Sequence, residues 1–417
     1  MRKTVILMVL GSLSLLLTGC WDQLELEEQA YVVVMGLDKG APGMVDVTFQ
    51  IANPQVGSTD KGSAQNEPPS DTVTFSTPDI LSAKDIANSI VTRTISFSHL
   101  RTIIVGEELA KSSLFHHVMA AATRDPELRS ESNLVVTNHR ARDFIHNNKP
   151  KLETRPHKYY EFMQDRWRDT GLVPYSTLTR YFQRLGGDAL YLAIYASAKP
   201  HPTTKKRNED QYKAGEIPHD SGDPAEMLGS AVFNSGRMIG TLTGEETRFA
   251  LYLRRKALVH SFIASYKDPL NPKFQISVRM IKEEDTKIKV NTEGDRAQVK
   301  VTVPIVLQVL SIPSLTNYVT DTENQKKLIA SLEKQFEQIS RKVVEKSQKQ
   351  FKADPFLWHL NARGTFKTLP EYLAYDWSKQ FTDATVDIHF DCRIESFGKQ
   401  LLPPLAGRAL VEQEEKQ

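Results

Sequence analysis

The chain reads as a mixed α/β, α+β body of two or three domains carried behind an export signal. Three observations predict it. Through the first half, short β-branched runs alternate with stretches of helical period, the pattern of strands backed by helices. The last third holds alternating strands and one long amphipathic helix, the pattern of an antiparallel sheet wetted on one face. Met1–Cys20 are laid out as an export signal that stops at a cysteine, which predicts an extracytoplasmic body on a lipid anchor.

The signal comes first. Arg2 and Lys3 form a positive start, Val5–Leu17 an apolar run and Leu17-Thr18-Gly19-Cys20 the exit. The run is too short for a hydrocarbon core, which takes about 20 residues to cross. Residues 1–19 therefore read as a cleaved signal peptide. A Leu, two small residues and a Cys match the bacterial lipobox. There the cysteine sulfur takes a diacylglycerol, the chain is cut before it, and the new amino group takes an N-acyl chain. One acyl chain binds a membrane only marginally, whereas two or more anchor it stably. Cys20 is thus the expected lipid-attachment residue, and the membrane its partner.

The chain has 417 residues, 40% hydrophobic and 25% charged, a globular balance too long for one core. Its 53 basic and 51 acidic residues leave +2, and no long basic stripe appears, which excludes nucleic acid as a partner. Of two cysteines, Cys20 goes to lipid and Cys392 is left without a partner, so the core must hold the body without a disulfide.

Trp21–Ala30 leads in as a short acidic helix. Tyr31–Leu37 and Met44–Ile51 form a hairpin around the turn residues Asp38–Gly43. Asn53–Ser70, rich in Gly, Ser, Pro and Gln, reads as a loop. Thr77-Pro78 supplies an N-cap and a Pro at the first helical position, followed by Ile80, Ala83, Ile86, Ala87 and Ile90 at helical spacing. Leu100–Val105 is a strand, and Glu107–Ala122 a helix with acidic residues in its first turn. Asn133–Thr137 is a buried strand, and Arg140–Asn147, His157–Arg168 and Tyr175–Leu185 are helices. Asp188–Ser197 is a strand with Leu190, Leu192 and Ile194 on one face.

After a Pro-rich excursion holding Lys205-Lys206-Arg207, Met227–Phe233 and Met238–Leu242 pair around Asn234–Arg237. Thr243-Gly244-Glu245-Glu246 fits a capping box, with a helix over Thr247–Leu253. Ala257–Ile263, Lys273–Met280, Asp285–Asn291 and Ala297–Val303 are strands, the last ended or bulged at Pro304 before Ile305–Ile312. Thr320-Asp321-Thr322-Glu323 is a second capping box. Leu328, Leu332, Phe336, Ile339 and Val343 then form one apolar stripe, that of a helix laid across a sheet. In a final strand, Ala384–Ile394, Cys392 falls with the apolar set as a buried free thiol. The expected divisions are an N-terminal mixed α/β domain over 20–198, a linker or excursion over 199–224, a small middle domain over 225–265, a C-terminal domain over 266–398 and a tail over 399–417.

Catalytic spacing is missing. There is no Gly-x-Ser-x-Gly, no His-Glu-x-x-His, and Gly57–Ser63 lacks the Lys a phosphate loop needs. His116-His117 are adjacent and face different ways on a helix, so they cannot share a metal. No catalytic, cofactor-binding or metal-binding residue is assigned, and a binding or structural role is expected rather than an enzyme. Thr243, Glu245, Glu246 and Thr247 are candidates for docking a partner.

A family resemblance rests on particular residues. Gly19-Cys20-Trp21-Asp22, Glu25-Leu26, Ala30, Gly36 and Asp38 resemble the start of the Ger(x)C family, the lipoprotein C subunits of spore nutrient-germinant receptors. Ser98-His99-Leu100 with Val105-Gly106-Glu107-Glu108-Leu109-Ala110 is similar to its strand-to-helix segment. Gly229–Phe233 with Gly240–Thr247 resembles its central block, and Phe390–Gly398 its last strand. Cys392 and the absence of glycines after Asp354 depart from the pattern. The resemblance implies three mixed α/β domains and a non-catalytic subunit on the spore inner membrane. Its implied partners are a multi-spanning A subunit and a B subunit; whether the C subunit itself binds nutrient is left open. The alternative class, a substrate-binding lipoprotein of a transporter, predicts two similar lobes, and no duplication is visible in the sequence.

Overall fold

A computed structural model describes residues 2, 28–53, 68–201, 203 and 208–398. Cys20, the signal over 1–19 apart from Arg2, Lys205–Arg207 and the tail over 399–417 lie outside them. The described residues build two sheets.

The first sheet has nine strands: β1 (Gln29–Lys39), β2 (Val45–Ala52), β3 (Ser70–Thr77), β4 (Thr94–Ser96), β5 (Thr102–Gly106), β6 (Asn133–Thr137), β7 (Tyr191–Ser197), β8 (Glu226–Asn234) and β9 (Arg237–Leu242). Its order is β3-β2-β1-β5-β6-β7-β8-β9, with β4 beside β1. The centre, β1-β5-β6-β7, is parallel, and the flanks are antiparallel. Central parallel strands need cover on both faces, and β5, β6 and β7 are buried throughout. One face carries α1 (Ile80–Ala87), α2 (Glu107–Ala110), α3 (Leu114–Ala122) and α6 (Leu178–Gln183). The other carries α4 (Ala141–Asn147) and α5 (Pro156–Thr170).

The second sheet holds β10 (Ser261–Lys267), β11 (Gln275–Ile281), β12 (Lys287–Asn291), β13 (Gln298–Ser311) and β14 (Thr385–Ser396). Between the sheets stands α7 (Gly244–Tyr252), and α8 (Thr322–Lys346) packs against β14. The α8 stripe buries Leu328, Leu332, Phe336 and Val343, as expected for a helix on a sheet. A π turn over Ser347–Phe351 and the short helices α9 (His359–Arg363), α10 (Leu369–Tyr375) and α11 (Trp377–Asp383) lead into β14.

Several expectations are corrected. The helix over Glu107–Ala122 is broken, because the Ser112 hydroxyl donates to the Leu109 carbonyl and closes the turn. The α1 N-cap is Asp79, whose Oδ1 accepts the Ser82 N–H at 2.8 Å; Thr77 ends β3, and its hydroxyl donates to the Asp79 carbonyl. Ile86 and Ile90 are exposed. The α8 N-cap is Asp321 rather than Thr320. The strand placed at Ala257–Ile263 begins at Ser261. Leu190, Leu192 and Ile194 do not share one core: the first two pack toward the second sheet, and Ile194 under α4 and α5. Pro304 neither ends nor bulges β13. It falls where β12 pairing has stopped at Thr302 and β11 pairing has not begun at Val306, so no ladder bond is lost on that side. The sheets also cross the expected domain lines: β8 and β9 continue the first sheet past residue 224, and β10 opens the second, so residues 225–265 are shared between the sheets rather than forming a unit of their own.

Candidate functional site at the junction of the two sheets

The capping box at α7 forms as expected. Thr243 Oγ1 accepts the Glu246 N–H at 3.2 Å, and Glu246 Oε2 accepts the Thr243 N–H at 2.9 Å. The same carboxylate holds Lys346, from the last turn of α8, at 2.7 Å. Thr247 is fully buried and bonded to Ser230 of β8 at 2.8 Å. Glu245 accepts from Gln211 Nε2 at 3.1 Å, and burial together with Asp210 pushes its carboxyl up to about 7. Of the four docking candidates, Thr247 is buried and has no surface to offer, whereas Thr243, Glu245 and Glu246 are part-exposed, with Glu246 engaged by α8. The segment ties the protein to itself.

Two glycines make the tie possible. Gly229 sits at φ 89, and a Cβ there would run into the Leu242 carbonyl oxygen. A Cβ at Gly244 would lie 2.8 Å from the Asp210 carbonyl oxygen, so α7 starts hard against the excursion.

Beneath the cap lies a buried ion pair that the sequence did not announce. Arg248 Nη1 meets Asp210 Oδ2 at 2.9 Å, Arg248 Nε donates to Thr170 O, and Nη1 also reaches Ile263 O. The guanidinium lies over the Phe262 ring. Four segments, α5, the excursion, α7 and β10, thus converge on one side chain. Burial holds the Asp210 carboxyl above its ordinary value despite the arginine. Asp354 is a second tie. Its carboxylate accepts from Phe356 N–H, His359 N–H and Trp377 Nε1–H, while its carbonyl takes the Leu190 N–H at 2.8 Å.

Three other motif residues, Asp38, Gly106 and Glu107, meet at the carboxyl ends of β1 and β5, beside that of β6. Asp38 accepts the Ala141 and Arg142 N–H groups at 2.7 and 2.9 Å, fixing the start of α4. Gly106 leaves room for that carboxylate, and Glu107 Oε2 accepts from Tyr195 OH at 2.8 Å. A cavity of about 350 Å³ opens here between Asp38, Glu107, His139, Arg140 and Asp143. Burial, with Lys199 adding, holds His139 down to about 4, so it is neutral at pH 7. Among the described residues no group of three or more His, Cys, Asp or Glu side chains has metal-holding geometry.

The fold and this junction define a class: a multi-domain mixed α/β protein, with unlike sheets and motif residues spent on internal ties. A family model described as the spore germination protein N-terminal domain matches residues 22–196. A second, described as spore germination B3/GerAC-like, C-terminal, matches residues 228–398. YfkR of Bacillus subtilis (strain 168) is 25% identical over 401 residues, covering 93% of this chain and 95% of its own. Spore germination protein B3 of the same organism is 24% identical over 392 residues, covering 92% and 95%. The crystal structure of the GerBC protein shares the fold at a TM-score of 0.52 and 17% identity, covering 87% of this chain and 96% of that one. The chain belongs to the Ger(x)C family of germinant-receptor C subunits. The two family models part between 196 and 228, at the predicted excursion, although the first sheet runs across it.

Proposed function

We propose that this chain is a non-catalytic, lipid-anchored C subunit of a spore germinant receptor. It is tethered through diacylglycerol and an N-acyl chain on Cys20, at the spore inner membrane with its body outside the cytoplasm, and works in complex with A and B membrane subunits. The observation that supports the reading is the match of both family models across the two halves of the chain. No helix among the described residues is long and apolar enough to cross a membrane. The internal bonding of the motif residues also fits a rigid body presented to partners, since the groups that could do chemistry are occupied by one another.

The test is Cys20→Ala in the full chain. The variant is expected to leave the membrane fraction and to impair nutrient-triggered germination. Unchanged membrane retention would overturn the anchoring, and failure of the wild-type chain to co-purify with multi-spanning subunits would overturn the complex.

A further inference from the structure

Beside the first sheet, between α5 and the segment that follows α7, lies an inner recess of about 50 Å³. That is several times the roughly 10–15 Å³ one water needs. It adjoins an outer cleft of about 420 Å³, with which it shares Arg254, Lys256 and Leu357.

Its walls are apolar at Val173, Leu251 and Val259. Two polar groups in the lining have no partner among the described residues. Trp167 is 7% exposed and its indole N–H meets no acceptor; Asn133 is 2% exposed and its amide oxygen meets no donor. Native proteins keep few unmet buried groups, and here a donor and an acceptor line one recess.

The lining is also basic. Arg180, Arg254 and Lys256 contribute to it, and none of the ion pairs among the described residues uses them, whereas the neighbouring Arg255 has Asp285. Among the described residues, the Arg254 guanidinium donates to the Pro355 carbonyl, at 3.0 and 2.8 Å. Arg180 and Arg184 repel it and Asp354 attracts it, but the Asp354 oxygens are already taken by Phe356, His359 and Trp377. Burial and those arginines hold Arg254 down to about 9. Leu357, common to both cavities, is held at φ 65, a backbone state that persists only where the surroundings impose it.

We propose that this recess binds a small organic anion: a carboxylate carrying one O–H or N–H group on a compact apolar body. The carboxylate faces Arg180, Arg254 and Lys256, the ligand's donor reaches the Asn133 oxygen, and one of its oxygens accepts from Trp167. The assignment rests on the cavity and not on the receptor reading.

The test uses the full chain, purified in detergent, with a matched series: 2-hydroxyisovalerate, isovalerate, isovaleramide and inorganic phosphate. The hydroxy acid should bind saturably by calorimetry and raise the melting temperature. Isovalerate, without the donor, should bind about tenfold more weakly, and the neutral amide not measurably. Lys256→Gln, on an exposed side chain, should weaken binding roughly tenfold or more while melting unchanged without ligand, and Trp167→Phe, which drops the N–H with part of a buried ring system, should weaken binding as much when compared at a temperature well below its own ligand-free melting. Absence of saturable binding by either acid up to about 10 mM overturns the proposal. Phosphate binding as tightly as the hydroxy acid reduces the site to a basic patch and also overturns it. Binding that Lys256→Gln and Trp167→Phe leave intact places the ligand elsewhere.

Discussion

Asp210→Ala tests whether the buried pair holds the two sheets together. Arg248 and Asp210 are 5% and 3% exposed, and their contact is 2.9 Å. Removing the carboxylate strands a guanidinium away from water, a change that costs about 3–5 kcal/mol when one partner of a buried pair is lost. The guanidinium keeps the Thr170 carbonyl at 3.0 Å, the Ile263 carbonyl at 3.2 Å and the Phe262 ring at 4.5 Å. Those survivors place the expected loss at the lower end, about 3 kcal/mol. Removing both charges with Asp210→Leu and Arg248→Met is expected to return most of it, because no uncompensated charge remains. Urea unfolding at pH 7, followed by the fluorescence of the buried Trp167, Trp358 and Trp377, measures the differences. A loss below about 1 kcal/mol for Asp210→Ala, or a double variant worse than the single, would refute the reasoning.

Three other outcomes are expected. Thr243→Ala should cost about 1 kcal/mol through loss of the cap, and Thr243→Ser should restore it in the same urea assay; equal stability of all three would mean that the bonds contribute nothing. His139 ordinarily titrates near 6.5 and is held down to about 4, so the folded chain binds fewer protons between those values than the unfolded chain. Its contribution is therefore complete above about pH 6.5 and is lost as pH falls toward 4. His139→Gln should flatten that part of the stability profile, and an unchanged slope counts against the assignment. Cys392 is buried, and burial followed by Glu333 pushes its thiol well up. It should resist a thiol reagent at pH 8 until the chain unfolds, and fast labelling of folded protein would contradict this.

Local chemistry was legible in the sequence. β6 occupies Asn133–Thr137 as expected, the hairpin of β1 and β2 closes over its turn, and the α7 cap has the predicted reciprocal bonds, because each depends on a few neighbouring residues. The α8 stripe and the β14 alternation were readable from period alone. Two caps expected at Thr77 and Thr320 fall instead at Asp79 and Asp321, whose extended backbone precedes each helix and whose carboxylates accept the Ser82 and Asn324 N–H groups. β3 was missed because it is an edge strand whose one buried apolar residue is Phe75, so its alternation carries little apolar signal.

The likeness of the motifs was visible before their purpose. Asp38 and Gly106 lie far apart in the chain and meet only because β1 and β5 are parallel neighbours. The sequence by itself determined the mixed α/β class, most elements, the family likeness and the expected anchor at Cys20. Only the tertiary structure decided that residues 225–265 are shared between two sheets, that Thr247 faces inward onto Ser230, and that Arg248 closes on Asp210. The reason is range: caps and periods act within a turn or two, whereas strand pairing and buried ion pairs join residues that no local pattern relates.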